Sequence, residues 1–492
     1  MRYPGFVYGT ARSQSWNADI ETTMNWYPEQ LPKSATSPAA LYPTPGGRFF
    51  AEALADVNFR GGLVAGTRAF AVIGSGFYEI PSVGGTLTKW GTVAIDKYPA
   101  TLSYNGATGA QVFITSGGNG YLFELLTNTF SQVLTAEATM GGMLDGYFLA
   151  FNVINGKVRM SHLNNGTVGN WDPNDYFQRT IRPDPWQAMA VVGGKIWLIG
   201  KETGEVWYDS GAVPVPFQPD LGSILDVGIV APFSIAISGD TLAWVSSTKN
   251  GAGVVVRAVG YQPARISDYS FETALAQYQR TSTIDDCEAI TYQAEGHGFS
   301  IFNFPAANAT HVWDMSTTLW HQRGSWNIAA NQYDRWYPRA ILYAFGKHLV
   351  GQANSGRLWY LDATAGDELD GQVIRRQRIA PGLYNEDEYL YVSNFGLYVE
   401  PGLGTQTGQG QYPQVMLRIS KDAGKTWSSE RREMAGAVGQ YGNRVSFTRC
   451  GIARHWVPEV TVTDPIPWRI VDAFVLGTGL KGQQPQQPGG AA

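Results

Sequence analysis

One short pattern recurs along the chain: a glycine followed by about five apolar or aromatic residues that read as a strand. It stands as GFYEI at Gly76, GYLFEL at Gly120, GEVWYD at Gly204 and GRLWYLD at Gly356, at intervals of 44, 84 and 152 residues. A four-stranded propeller blade repeats at roughly 40 to 50 residues, so the first interval is one blade, the second about two and the third three or four. Fainter copies fall in the gaps: NGKVRMS at Gly156, GAGVVVRAV near Gly253 and THVWDMSTTLW from Thr310. A lone glycine–aromatic hairpin is common in β proteins and says little. Copies at blade spacing say more, because a unit that cannot bury its apolar face alone must stack on its neighbours. The expectation is an all-β chain with a six- or seven-bladed β-propeller over 61–365. The segment 1–60 should contribute to the propeller or its interface by crossing back onto later strands.

Composition agrees with that class. The 58 glycines, 13% aromatics and only 16% charged residues describe short strands and tight turns. One helix interrupts them. In ARISDYSFETALAQYQR, Ser267 or Asp268 can cap a helix that places Phe271, Leu275 and Tyr278 on one face. Past the last blade, YLYVSNFGLYVE, QVMLRIS, RVSFTRC, VPEVTVT and PWRIVDAFVLG alternate as strands, which predicts a C-terminal β-sandwich-like domain over 380–478. The low-complexity ending KGQQPQQPGGAA predicts a flexible tail over 479–492.

Within that sandwich, SKDAGKTW fits the Asp-box pattern at Ser420, Asp422, Gly424 and Trp427. The residue types explain a turn. Asp422 can hydrogen-bond the backbone of its own turn, Gly424 supplies unusual dihedrals, and Trp427 is expected to return to the core on the next strand. None of these roles is chemical, so the box predicts a structural hairpin.

Charge and motif content exclude several functions. A formal net charge of −5 argues against gripping nucleic acid through a basic surface, although a polyanion can slide past such a wall. No run approaches the length of a membrane span, and MRYPGFVYGTARSQSW lacks the apolar region of a signal peptide. Cys287 and Cys450 stand far apart and read as buried thiols. The histidines at 162, 297, 311, 321, 348 and 455 form no metal-ligand spacing, and no cofactor is implied. His297 and His321 lie beside aromatic strands and read as hydrogen-bonded packing residues. Asp285–Asp286 and the acids of YNEDEY read as solvated turns rather than glycosidase carboxylates. No catalytic residue is expected.

Several blocks together resemble the tail hub, or nozzle, proteins of short-tailed bacteriophages, also called packaged-DNA stabilisation proteins. NWYPEQ carries Asn25, Tyr27, Pro28 and Glu29, and LYPTPGG carries Pro45 and Gly46. GYQPARIS carries Gly260, Tyr261 and Arg265. AITYQAEGHGFSIFNFP carries Gly296 and His297, and VWDMSTTLWHQR carries Trp313, Asp314, Trp320 and His321. One departure is Cys287–Glu288, where the family pattern has Asp-Ala after the residue matching Asp286.

The resemblance implies a structural protein of the virion tail, made in the host cytoplasm. Such hubs form a ring of six copies below the portal and its adaptor, close the DNA exit channel, and carry tail fibres or tailspikes and a plug or needle. DNA would pass without sequence-specific binding. The rival reading is a glycan-binding or sialidase-like propeller of a receptor-binding apparatus, to which the 16 tryptophans and 25 tyrosines lend stacking surfaces. A sialidase would need several Asp boxes and an arginine cluster; here one box lies outside the propeller.

Overall fold

The computed structural model describes residues 1–248, 251–386 and 388–479. The expected tail from Leu480 onward and Asp387 of YNEDEY lie outside the described residues. Among the described residues, seven four-stranded units follow one another at 59–92, 101–134, 140–178, 186–219, 236–265, 288–322 and 338–362, the last completed by Gly46–Glu52 from the N-terminal segment. The propeller has seven blades. Their first strands line a common axial cavity of about 570 Å³.

Every copy of the glycine–apolar pattern, strong or faint, occupies the same place: the third strand of its blade. The strong copies are Gly76–Ile80, Asn119–Glu124, Gly204–Asp209 and Arg357–Asp362; the faint ones are Lys157–Met160, Gly253–Val259 and Ala309–Asp314. At the four strong copies the glycine is required by crowding at the strand entry. A Cβ on Gly356 would stand 2.4 Å from Asp56 O and 2.5 Å from Ala53 O. The strand that follows buries its apolar residues between neighbouring blades, as Phe77 and Phe123 do in the cluster shared by blades one and two.

The helix forms where its pattern predicts, at Tyr269–Thr281 between blades five and six. The Asp268 carboxylate accepts from the Phe271 amide at 2.8 Å, which satisfies one of the first-turn donors. Phe271 and Leu275 are fully buried and Tyr278 partly so, against Val255, Phe302 and Trp320.

The sandwich has two sheets. One pairs Trp26–Gln30 and Ala39–Pro43 of the N-terminal segment with Ile470–Thr478, Leu390–Val399 and Val445–Ala453. The other contains Arg376–Ile379, His455–Val462, Gln414–Ser420 and Arg431–Met434. Their core gathers Tyr3, Phe6, Trp26, Phe395, Trp456 and Trp468. The second sheet does not stop at the sandwich edge. Ile20–Met24 pairs antiparallel with Arg376–Ile379 and parallel, through Met24 and Gln322, with the outer strand of blade six, so one sheet runs through both bodies.

The Asp box is a turn. Asp422 Oδ1 accepts from the Thr426 amide at 2.8 Å and from the Ser420 hydroxyl at 2.7 Å, while Oδ2 accepts from the Thr426 hydroxyl at 2.6 Å. Gly424 has φ +87°, and a Cβ there would stand 1.9 Å from Ile20 Cδ1. Trp427 departs from expectation. It leaves the turn in irregular backbone and stays half-buried, with the Arg418 guanidinium 5.5 Å from its ring, outside the sandwich core. Both thiols, Cys287 and Cys450, are buried.

The turn geometry sets a graded stability series. Gly424→Ala should cost about 2 kcal/mol through strain and the Ile20 clash, and Asp422→Ala about 1 kcal/mol through lost hydrogen bonds. Trp427→Ala should cost less than either, since it opens no core cavity. Thr426 holds the Asp422 carboxyl down to about 2, below its ordinary 3.8. Its contribution is therefore present above about pH 4 and lost as pH falls through about 2. Chemical denaturation of the three variants, and of Asp422→Ala against the parent from pH 2 to 6, measures both effects.

Candidate functional site

The quoted blocks converge in space although they are far apart in the chain. Trp26–Gln30 forms the edge of a sandwich sheet, and that edge lies against the turn 294–297 and the loop 314–319 of blade six. At its start Asn25 is buried in a left-handed conformation with φ +59°, tolerable for asparagine. Its Nδ2 donates to Gly324 O at 2.7 Å and Arg375 O at 2.8 Å, and its Oδ1 accepts from the Gly324 amide at 3.0 Å. Its carbonyl also accepts from the Thr44 amide and hydroxyl. One side chain thus joins propeller, linker and sandwich.

Further along the strand, Tyr27 donates to Glu295 Oε2 at 3.0 Å, and its ring meets His297 edge-on at 4.9 Å. The hydrogen-bonding role expected of His297 is present. Its Nε2 bonds the Glu29 carboxylate and its Nδ1 lies 2.7 Å from Asp314 Oδ2. Asp314 is fully buried and also accepts from the Thr317 hydroxyl at 2.8 Å and the Ser316 amide at 2.9 Å. Asp314 foremost, with Glu29, raises the His297 pKa to about 9. His297 is an imidazolium clamped between two carboxylates, not a free base.

His321 differs from expectation. It is fully buried among Tyr27 and Phe299, neither ring nitrogen has a hydrogen-bond partner, and burial pushes it well below 6.5, so it packs as a neutral ring. Beside it sits Arg323, a residue the motifs did not single out. Its guanidinium lies 4.8 to 5.2 Å from the rings of Phe299, Trp336 and Tyr292, a cation held by aromatic faces. Arg378 is a second such residue. It donates to Gly5 O, Phe6 O and Gly9 O at 2.7 to 3.0 Å and to the Thr23 hydroxyl, tying the chain's first residues to the sandwich.

The remaining motif residues serve the scaffold separately. Pro28 pairs with Leu41 inside the sandwich sheet, and Gly46 lies so close to the 365–367 backbone that a Cβ would stand 2.3 Å from Asp367 O. Pro45 precedes it, at the entry to the strand that completes blade seven. Gly260 makes the hairpin of blade five at φ +59°; Tyr261 packs on Trp197 of blade four, and Arg265 pairs with Glu272 of the helix. Gly296 makes the hairpin before His297. Trp313 is buried with Arg257 over its ring, and Trp320 donates to Ile266 O at 2.9 Å.

A second charged assembly closes one end of the propeller axis. Arg339 Nε donates to Glu288 Oε2 at 2.8 Å, linking blades seven and six, and its Nη1 reaches Asn58 Oδ1 at 2.6 Å. Arg60 of blade one donates to Tyr98 O at 2.9 Å and to the Ser116 hydroxyl of blade two at 2.7 Å, and pairs with Asp96. Four blades are clasped there. Among the described residues no group of three or more histidines, cysteines and carboxylates is arranged to hold a metal.

A family profile described as the bacteriophage P22 Gp10 β-propeller matches residues 7–366, and one described as the bacteriophage P22 Gp10 β-sandwich matches residues 375–459. No curated protein sequence matches the chain. Solved structures similar to it include the N-terminal domain of Nup159, at 9% identity and TM-score 0.39, covering 69% of this chain and 98% of that one. Hsv2 of Kluyveromyces lactis is similar at 8% identity and TM-score 0.35, covering 67% and 95%. PorZ of Porphyromonas gingivalis is similar at 8% identity and TM-score 0.37, covering 72% and 45%.

The joint makes two measurable contributions. Asn25→Gly keeps the backbone relaxed while stripping three buried backbone groups of their partner, and should cost about 2 to 4 kcal/mol. The His297 pKa is raised from 6.5 to about 9, so its stabilisation is full below about pH 6.5 and lost as pH rises through about 9. Urea melts at pH 6 and pH 10 should therefore converge for His297→Gln and diverge for the parent, by on the order of 2 kcal/mol.

Proposed function

Because the chain belongs to the bacteriophage P22 Gp10 family, virion tail components that stabilise packaged DNA, we propose that it forms one wall of the genome exit channel in a ring of six copies. The observation that carries this reading is the pair of matches: they span both bodies of the fold in chain order. The geometry of the axis adds a physical reason for a ring. The axial cavity, about 570 Å³ along about four residues of each first strand, is of small-molecule size. The major groove of duplex DNA alone is about 12 Å wide. That disparity favours passage of DNA between subunits rather than along the axis of one chain.

In this reading the ring sits below the portal and its adaptor and carries tail fibres or tailspikes and a plug or needle, repeating one heterologous contact until the rotation closes. The two bodies must hold their relative orientation for that, which the shared sheet and the Asn25 joint favour. A net charge of −5 suits a surface past which a polyanion slides without sticking. The role asks for no bond to be made or broken, and His297, committed to two carboxylates, and the Asp box, its oxygens filled by its own turn, suit a scaffold.

The purified chain is expected to be monomeric or weakly associated, and to form a six-membered ring when portal and adaptor are added. Particles lacking it should package DNA and then leak. Electron microscopy of both mixtures, with labelled protein located in virions, tests the reading. Label on the capsid shell or confined to fibre tips, with tails complete in its absence, would refute it.

A further inference from the structure

A cleft of about 590 Å³ opens where the two bodies meet, on a surface that the joint and the axial clasp do not use. Its floor is the continuous sheet. Met24 there stands between Gln322 of blade six and Gln377 of the sandwich, and Thr22 pairs with Ile379 in the neighbouring row. One wall is the face of the helix carrying Ser270, Ala274 and Gln277; the other is the N-terminal stretch from Thr10 to Trp16.

Two features of the lining point to a ligand. Four planar amides, Gln14, Gln277, Gln322 and Gln377, line the same cleft, and among the described residues none of these side chains makes a hydrogen bond. Each offers two donors and an acceptor. Trp16 stands at the rim with 37% of its surface exposed and its ring 4.7 Å from the Arg12 guanidinium, so it forms a braced aromatic plate. Neighbouring hydroxyls that donate and accept in pairs, borne on a ring with an apolar C–H face, complement such a surface. The volume is that of a small-molecule site.

We propose that this cleft binds a short oligosaccharide. Binding there proceeds without hydrolysis, since the lining contains a single carboxylate, Asp268, and that group caps the helix, whereas glycoside cleavage takes two facing carboxyl groups. Arg12 and Arg280 at the rim accommodate sugars that carry a carboxylate as well as neutral ones. The inference does not rest on the channel reading, because the cleft is formed within one chain.

The test is an array of neutral and acidic di- to hexasaccharides, including chitotriose, maltotriose and sialyllactose, probed with the full chain. Calorimetry on the strongest hit then compares the parent with Trp16→Ala and Gln277→Ala. Both residues lie at the surface, so melting temperatures should not move. The expected result is a hit whose affinity falls about tenfold in Trp16→Ala and about three- to tenfold in Gln277→Ala, with portal-dependent ring formation intact. A blank array overturns the proposal, as does a hit that both variants bind as well as the parent. A blank array with ring formation lost in the variants reassigns the cleft to a protein contact.

Discussion

The hydrogen bonds of the first 52 residues are the constraint on which the rest of the structure depends. Ile20–Met24 bridges blade six to the sandwich, Trp26–Gln30 and Ala39–Pro43 complete a sandwich sheet, and Gly46–Glu52 completes blade seven. A propeller gains its stability by closing, and this one is closed by a strand more than 300 residues from its partner, as the Arg357–Glu52 pairing illustrates. Loop-closure entropy grows slowly with length, so the cost is borne mainly in folding time, with closure late and cooperative. Asn25 turns the chain between two of these tasks, which explains why a polar side chain is buried at that point.

Buried cations do the fastening elsewhere. Arg60, Arg323, Arg376 and Arg378 are each nearly or fully buried, an arrangement that costs several kcal/mol per charge unless the guanidinium is well surrounded. The surroundings differ in kind. Arg378 is wrapped by backbone carbonyls with the Glu21 carboxylate 3.3 Å away, Arg60 by carbonyls and the Asp96 carboxylate, and Arg323 by aromatic faces. Arg376 donates to Thr44 O, and burial lowers it to about 10 while the nearby Glu368 is pushed up to about 7. A planar donor group that spans several acceptors fixes orientation better than a single apolar contact. These residues specify how segments meet; the apolar clusters supply the driving force.

The same fastening bears on function. In the channel role proposed above a wall must resist deformation, and here propeller and sandwich share one sheet and one buried ion cluster. His297 deepens the coupling, because its imidazolium draws one carboxylate from each body. The open cleft beside the joint stands apart from this pattern: among the described residues its four amides make no side-chain hydrogen bond.

Some of this was legible in the chain because it is local. Strand-length apolar runs reflect the side-chain period, and a crowded glycine marks four of them, so four third strands stood out strongly and three faintly. Asp268 announced its helix and Asp422 its turn through hydrogen bonds within a few residues. What only the tertiary structure decided lies at long range. Arg376 and Arg378 in VIRRQRIA carry no mark that separates a buried guanidinium from a solvated one, since burial depends on carbonyls more than 300 residues away. Trp427 shows the converse: its motif determines the turn, but whether the ring is covered depends on which sheet passes over it. The Glu29–His297–Asp314 cluster unites three blocks that were readable separately, and only chain closure, acting over 268 residues between Glu29 and His297, brought them together.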